Sequence, residues 1–429
     1  MTLGSITPWR PSRLLRAVPW MAASLVALMG AKRVQADTIG FDQALALGAG
    51  TPAVAESRDM LEARKAGDQK MRGTAEMTHI FFMPGAIIAP AEAKGFDMQA
   101  TITQGWNLRD LGGARRESAS HERGALAATV RARALRARLE AARRWIDLAT
   151  LARIAESLDA RIAGLEELVA RRARALATGV GTSPALTEAR ATLAERLQQR
   201  LDIEGDQFAA ATQLAVAIGQ APTQDQLETV GPLPEPPLPD EAEIRRRMED
   251  VDAVPDVVVE RLRETAAQAR AIEASAEYAP VLTLGAQGER SGLGAWVAYG
   301  IAGISFRGPG QARRLTSVAE ARAAAASATT DDAKLHARAE LEDALHDLHH
   351  AAATMKLFEE NTLPELRKLV QSRERGVTLG EESYFDAFEA RDREFAAVEG
   401  AHRARGAQAW AQVHMWLLLA ELAKERSAP

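Results

Sequence analysis

The sequence predicts a mainly α-helical protein with a small β part, built as a tandem duplication of long helical hairpins. Three observations predict it. Helical patterns of nearly seventy residues run from Gly112 to Thr178 and again, at similar length, from Gln311 to about Arg375. Two pairs of short β-favouring segments precede them, one pair per pattern. Finally, Arg109-x-x-Gly112-x-Ala114-Arg115-Arg116 returns as Arg307-x-x-Gly310-x-Ala312-Arg313-Arg314, each copy where a strand hands over to a long helix. A duplication of helix, two strands, long helix, tip and return helix explains all three. The expected division is a leader over 1–36, a first repeat over 37–220, a Pro-rich connector over 221–250 and a second repeat over 251–429.

In chain order, Met1 to about Ala36 reads as a signal peptide: three arginines, the apolar run Ala17–Ala31, and a cleavage site after Ala36 or Ala31. The run is shorter than the ~20 residues of a spanning helix. Pro52 opens a polar helix to about Arg72. His79–Pro90 and Phe96–Leu108 hold the apolar and β-branched residues of strands, and Gln99–Trp106 approximates inside/outside alternation. Within the first long helix Leu151, Ala155, Leu158, Ile162, Leu165 and Val169 alternate spacings of four and three, a heptad seam. Its length, on the order of 100 Å, suits a coiled coil or tube better than a compact domain. Leu186, Leu193, Leu197, Leu201 and Phe208 mark a return helix ending near Gly219. Gly231–Pro239 carries five prolines in nine residues and must be extended. Pro255–Glu277 is then helical, Tyr278–Glu289 and Trp296–Phe306 are strand-like about a turn at Ser291–Gly294, and the last helix runs to about Lys424.

Composition narrows the function. Aromatics are only 5% of the chain and charged residues 26%, a poor recipe for a large globular core. Loss of the five basic residues in 1–36 would take the formal charge from −5 to −10, which argues against nucleic-acid binding. Cysteine is absent, which fits a periplasmic or surface location. No Ser/His/Asp set, Walker loop or dinucleotide fingerprint occurs, so no catalytic residue and no cofactor are expected. His346, His349 and His350, with Glu342 near, read as a solvated helix face and no metal site is assigned to them.

Each long helix ends in a glycine-bearing tip. In the second, Gly376 and Gly380 are expected to break the helix, and Glu381, Glu382 and Ser383 to open the next. Asp386 and Glu389 then project from one face. In the first, Gly179, Gly181, Thr182 and Ser183 precede the return helix, with Ser183 as cap and Pro184 in the first turn. Gly179, Glu188 and Ala189 stand 201 positions before Gly380, Glu389 and Ala390.

The pattern Gly380-x-x-Ser383-Tyr384-x-Asp386-x-x-x-Ala390 resembles the second hairpin tip of the TolC-like outer-membrane factor family, and the order and length of elements are similar over nearly all of the mature chain. The resemblance implies a homotrimer in which three protomers form an α-barrel and four strands from each close a 12-stranded transmembrane β-barrel. Four strands cannot close alone, and open edges are not tolerated in lipid. It implies an outer-membrane exit duct, extending into the periplasm, of a tripartite efflux or type I secretion system. Its partners would be outer-membrane lipid, a periplasmic adaptor (membrane fusion) protein docked at the tips and an inner-membrane transporter. Asp386 and Glu389 would ring the tunnel constriction; the other reading is a helix start that favours acids. The sequence departs from the family at Val377, Glu382 and Ala185, where an aromatic, an arginine and an aspartate are common, which implies an entrance less tightly locked. Phe81, Phe82, Phe96, Trp106, Trp296, Tyr299 and Phe306 would form an interfacial girdle or fill a small sheet. Tyr384, Phe385 and Phe388 would pack the tip. The rival class is a soluble periplasmic coiled-coil adaptor or scaffold.

Overall fold

The computed structural model describes residues 38–71, 78–88, 94–222, 227–229, 231–290, 296–306 and 309–426. The expected leader and the Ser291–Gly294 turn lie outside the described residues. In order the elements are β1 (Thr38–Ile39), α1 (Phe41–Gly48), α2 (Pro52–Met71), β2 (Thr78–Ile88), β3 (Lys94–Asn107), α3 (Leu111–Ala177), α4 (Ser183–Ala217), β4 (Glu228–Thr229), α5 (Glu241–Met248), α6 (Pro255–Glu277), β5 (Val281–Arg290), β6 (Trp296–Ser305), α7 (Pro309–Leu357), α8 (Leu363–Leu379) and α9 (Tyr384–Arg426). The described part is mainly helical.

The 67 residues of α3 make a rod on the order of 100 Å long. Nothing globular covers such a rod, so other helices line it end to end. Along its tip half α4 and α9 flank it; along its strand half α2 and α6 do. Ion pairs mark the upper contacts, Arg136–Asp256 at 2.7 Å and Arg115–Glu273 at 3.3 Å. Helix α7 completes the layer against α9 and α6. The helices change over at mid-length, where Gly219, at φ +76°, would press a Cβ against Pro52 Cδ at 3.1 Å. There the largest core collects: Trp145, Leu214, Val413, Met415 and Leu417 are wholly buried, under Ile244, Met248 and Val251. Trp145 donates its indole N–H to the Ile39 carbonyl at 2.9 Å. The connector 231–239 has no regular structure, and its Leu233 is buried in this core.

The heptad residues Ala155, Leu158, Ile162 and Leu165 are buried as expected, whereas Leu197, Leu201 and Phe208 of α4 are exposed at 45–62%. The second long helix is not continuous to Arg375. Pro364 has no N–H for the Glu360 carbonyl, and a π-helical turn, Phe358–Thr362, stands before it. Gly400 makes room beside this turn, since a Cβ there would lie 2.9 Å from Phe358 Cζ.

Two charged groups are buried in the seam, Arg161 and Glu399. Arg161, 4% exposed, meets Asp392 at 2.5 Å and Glu399, also buried, at 3.3 Å; Gln199 donates to Glu399 at 3.3 Å. The cluster ties α3, α4 and α9 together. Removing the guanidinium alone leaves the buried Glu399 with the Gln199 amide and no cation, while Asp392 keeps Arg196 at 3.7 Å; losing one partner of a buried pair costs roughly 3–5 kcal/mol. Arg161→Met should therefore lower the thermal midpoint followed by circular dichroism. Adding Asp392→Asn and Glu399→Gln should restore most of it; an unchanged midpoint in the single variant would refute the assignment.

Candidate functional site

The two tips share one hydrogen-bond skeleton. Gly179 and Gly380 both take φ near +76°, open only to residues that tolerate the left-handed region. Their N–H groups reach Leu176 and Val377 carbonyls at 3.1 Å. Val180 and Gly181 donate to Ala175 O, as Glu381 and Glu382 donate to Gly376 O, 201 positions on. This is a helix C-cap of the Schellman type. The crossing is too tight for two side chains. A Cβ on Gly181 would stand 3.0 Å from Ala175 C, and one on Gly376 would stand 2.9 Å from Glu382 Cγ. Each tip keeps one glycine there, on opposite sides of the contact. Gly376 thus lies inside α8 and does not break it; Gly380 does.

The repeat register also corrects the first cap. Thr182, not Ser183, is the N-cap, and its side chain makes no cap bond. Its equivalent, Ser383, forms a reciprocal box with Asp386. The Ser383 hydroxyl donates to Asp386 Oδ2 at 2.7 Å, the Ser383 N–H donates to the same oxygen at 3.3 Å, and the Asp386 N–H donates to Ser383 Oγ at 3.2 Å. Ala185 stands where Asp386 would, so the first tip cannot form the box. The Ser383 hydroxyl and N–H hold the Asp386 carboxyl below its ordinary range. Glu389 turns away to Arg393 at 2.6 Å. Within a protomer, then, Asp386 and Glu389 share a face and not a partner. Glu382 is bound to Arg373 at 2.8 Å through Oε1, so this departure from the family pattern forms an ion pair, with Oε2 buried and unbonded.

Arginines of the first hairpin hold aromatics of the second. Arg171 lies 4.6 Å over the Tyr384 ring and Arg172 4.8 Å over Phe385, while Arg172 also donates to Ala185 O at 2.7 Å. Tyr384 and Phe388 pack on Leu165, Leu168 and Ala189. The sequence reading placed these aromatics in the tip and missed their arginine partners, whose signal is two adjacent cations about two turns before the tip.

At the other end the sheet runs β2-β3-β5-β6, all antiparallel. Directly paired residues share a side. Ile80–Ile102–Ala286, Trp106–Leu282–Ile304 and Leu284–Ala302 stand on one face, interrupted by Gln104. That face is uncovered: Ile80, Ile102 and Ile304 are 55–72% exposed. The opposite face is more polar, carrying Gln99, Thr101, Thr103, Thr283 and Ser305 beside Val281, Val297 and Ile301, and there Tyr299 bonds Gln287 and Glu289, each at 2.8 Å. Trp106 sits at the helix end of the apolar side and Trp296 at its far end beside Arg290; Phe306 follows β6 and is exposed. Tyr299 belongs to the polar face, a correction to the girdle; the side chains of Phe81, Phe82 and Phe96 lie outside the description. Among the described residues no helix is long and apolar enough to cross a membrane. His346 and His350 stack at 6.0 Å, and His349 meets Glu241 at 3.5 Å.

Because the depressed Asp386 pKa stabilises the ionised form, the box is intact at neutral pH and is lost only as pH falls below the ordinary carboxylate range. Ser383→Ala should raise amide exchange over 384–388 roughly fivefold at pH 7, read by hydrogen-exchange mass spectrometry, and leave α3 unchanged. Equal exchange in both proteins would mean that the box does not hold the helix start.

No protein-family model and no curated protein matches the chain. Solved structures do. The outer-membrane channel OprN is 16% identical over 88% of this chain and 89% of its own, with a TM-score of 0.72. CusC, described for its folding and transmembrane channel formation, is 16% identical over 88% and 91%, with a TM-score of 0.70. The outer membrane protein VceC of Vibrio cholerae is 16% identical over 89% and 95%, with a TM-score of 0.66. From sheet to tips, the chain has the fold of these outer-membrane channels, the TolC-like outer-membrane factors.

Proposed function

We propose that the protein is an outer-membrane channel, the exit duct of a tripartite efflux or type I secretion system, and a passive conduit with no chemistry of its own. The observation that carries this reading is the open four-stranded sheet, apolar on an exposed face and more polar on the other, set on hairpins on the order of 100 Å long. An uncovered apolar face of this extent is a liability in water and an asset in lipid. Strands β5 and β6, ten residues each, have the length of a transmembrane strand.

The protomer is incomplete by itself. Strands β2 and β6 are unpaired edges of the sheet, and lipid does not tolerate free edge amides. Three copies of four strands would close a 12-stranded barrel, each β6 beside the next β2. Below it, the exposed Leu197, Leu201, Phe208 and Val216 of α4 would pack on a neighbour in a trimeric α-barrel. In this reading 37–220 and 251–429 are the two repeats and 221–250 the connector. The outer surfaces of the tips, at Gly179, Gly181, Thr182, Ser183, Gly376, Gly380, Glu382 and Ser383, would meet the hairpin of a periplasmic adaptor, with an inner-membrane transporter supplying energy. The soluble coiled-coil alternative leaves the exposed apolar sheet face without a role.

Light scattering in detergent should give a homotrimer; a stable detergent-free monomer would sink the reading. Asp386 and Glu389 on three chains would place six carboxylates at the tunnel constriction and attract cations. In planar bilayers across a salt gradient, Asp386→Ala with Glu389→Ala should reduce cation preference and block by multivalent cations. Unchanged reversal potential and block would leave these carboxylates as a helix cap only.

A further inference from the structure

The helical layer has a groove on the face away from the Trp145 core. Arg143, Asp147, Thr150 and Ile154 of α3 follow one another at steps of four, three and four, so they share a face. Asp147 follows Trp145 by two residues, about 200° around the helix, and so points the other way. With α4, α7 and α9 this face borders a cavity of about 690 Å³, inside the size range of drug-sized ligand pockets. Its floor is leucine, isoleucine and alanine beside the Trp410 ring. Its rim is Asp206, Asp347, His350 and Arg403, all exposed.

Charge decides what fits. Arg143 is already engaged, 3.4 Å from Asp147 and 5.0 Å over the Trp410 ring. Asp206, Asp347 and Arg403 make no ion pair among the described residues. Two carboxylates therefore face one guanidinium, and a cation is the favoured guest. The Thr150 hydroxyl is sealed from solvent beside Gly406, where any Cβ would collide with it, so it marks close packing beneath the floor and offers no bond to a guest. Asp147 is already paired with Arg143, so the carboxylates left without a cation are those of the rim. Arg143 lies over the Trp410 ring and His414 stacks on it at 5.0 Å, so the apolar surface left for a guest is the leucine, isoleucine and alanine floor; such a floor under an acidic rim matches one ligand chemistry.

We propose that this groove binds an amphipathic organic cation, its apolar body on the leucine, isoleucine and alanine floor beside Trp410 and its charged nitrogen at Asp206 and Asp347. If the protein is the duct proposed above, this face is the tunnel wall and the ligand is cargo in transit; binding itself does not depend on that reading.

The test is fluorescence anisotropy of rhodamine 6G against the purified full chain in non-ionic detergent at low salt, with anionic fluorescein as the counter-probe. Wild type should bind rhodamine 6G saturably and fluorescein poorly. Asp206→Asn with Asp347→Asn should weaken binding about tenfold or more. Ala407→Phe, an exposed site in the groove, should weaken it as well by filling the space. Circular dichroism should be unchanged in both, because none of the three residues is buried. Equal rhodamine 6G signals in wild type and both variants would mean partition into detergent only and would overturn the proposal; so would fluorescein binding as well as rhodamine 6G. Bilayer recordings separate the two readings. Absent conductance with retained, variant-sensitive dye binding defeats the duct and keeps the groove.

Discussion

A helix of 67 residues cannot bury itself, and everything else in the molecule answers that constraint. Hydrophobic stabilisation scales with area removed from water, so a rod needs partners along its whole length. The chain supplies them in pieces. Helices α2 and α6 cover the strand half of α3, and α4 and α9 cover the tip half. The change-over at mid-length interrupts the regular seam, and there a true core forms about Trp145, sealed by α1, α5 and the Pro-rich connector. In the strand half small residues carry the contacts, Ala128 and Ala132 against Val258 and Val259, while leucine and isoleucine carry the tip half. Small residues let helices approach closely, at the expense of large apolar contacts per turn. Buried ion pairs such as Arg161 with Glu399 then give specificity of register more than net stability.

The two tips illustrate how a duplicated skeleton diverges while its geometry stays. Backbone bonds recur one for one at an offset of 201 residues. The glycine demanded by the helix crossing has moved from one strand of the contact to the other, Gly181 in the first tip and Gly376 in the second. The capping box exists only where Asp386 is present. Each tip is thus closed by its own chemistry, and the link between them is a third kind, guanidinium over aromatic ring. These contacts join hairpins within a protomer, which makes the pair a unit that can move together.

The sheet obeys the opposite logic to the helices. Its polar face is knit by hydroxyl, amide and carboxylate groups, and its apolar face is left bare. In water that would be an unstable arrangement; in a hydrocarbon solvent the polar side is the one that needs enclosure. Trp106 and Trp296 bracket the bare face at its two ends, the depth at which amphipathic rings favour an interface.

Much of this was legible in residue order. Periodicity and punctuation set the helices, because amphipathic spacing and glycine or proline breaks are local: Pro255–Glu277 lies where it was expected, and α3 falls within a residue of it at each end. Strand existence was legible too, since β-branched alternation is local. What depended on contacts between distant segments was not. The cap at Thr182 makes no side-chain bond, and the backbone decides it, extended there at φ −113° and ψ 145°. The ion pair of Glu382 with Arg373 needs the chain to reverse at Gly380. Arg161 reads as one more surface arginine until Asp392 and Glu399, more than two hundred residues away, close over it. The apolar face of the sheet required the register of four strands from two repeats. Local physics determined which elements form; the tertiary structure decided which side chains are satisfied, because satisfaction belongs to pairs and not to residues.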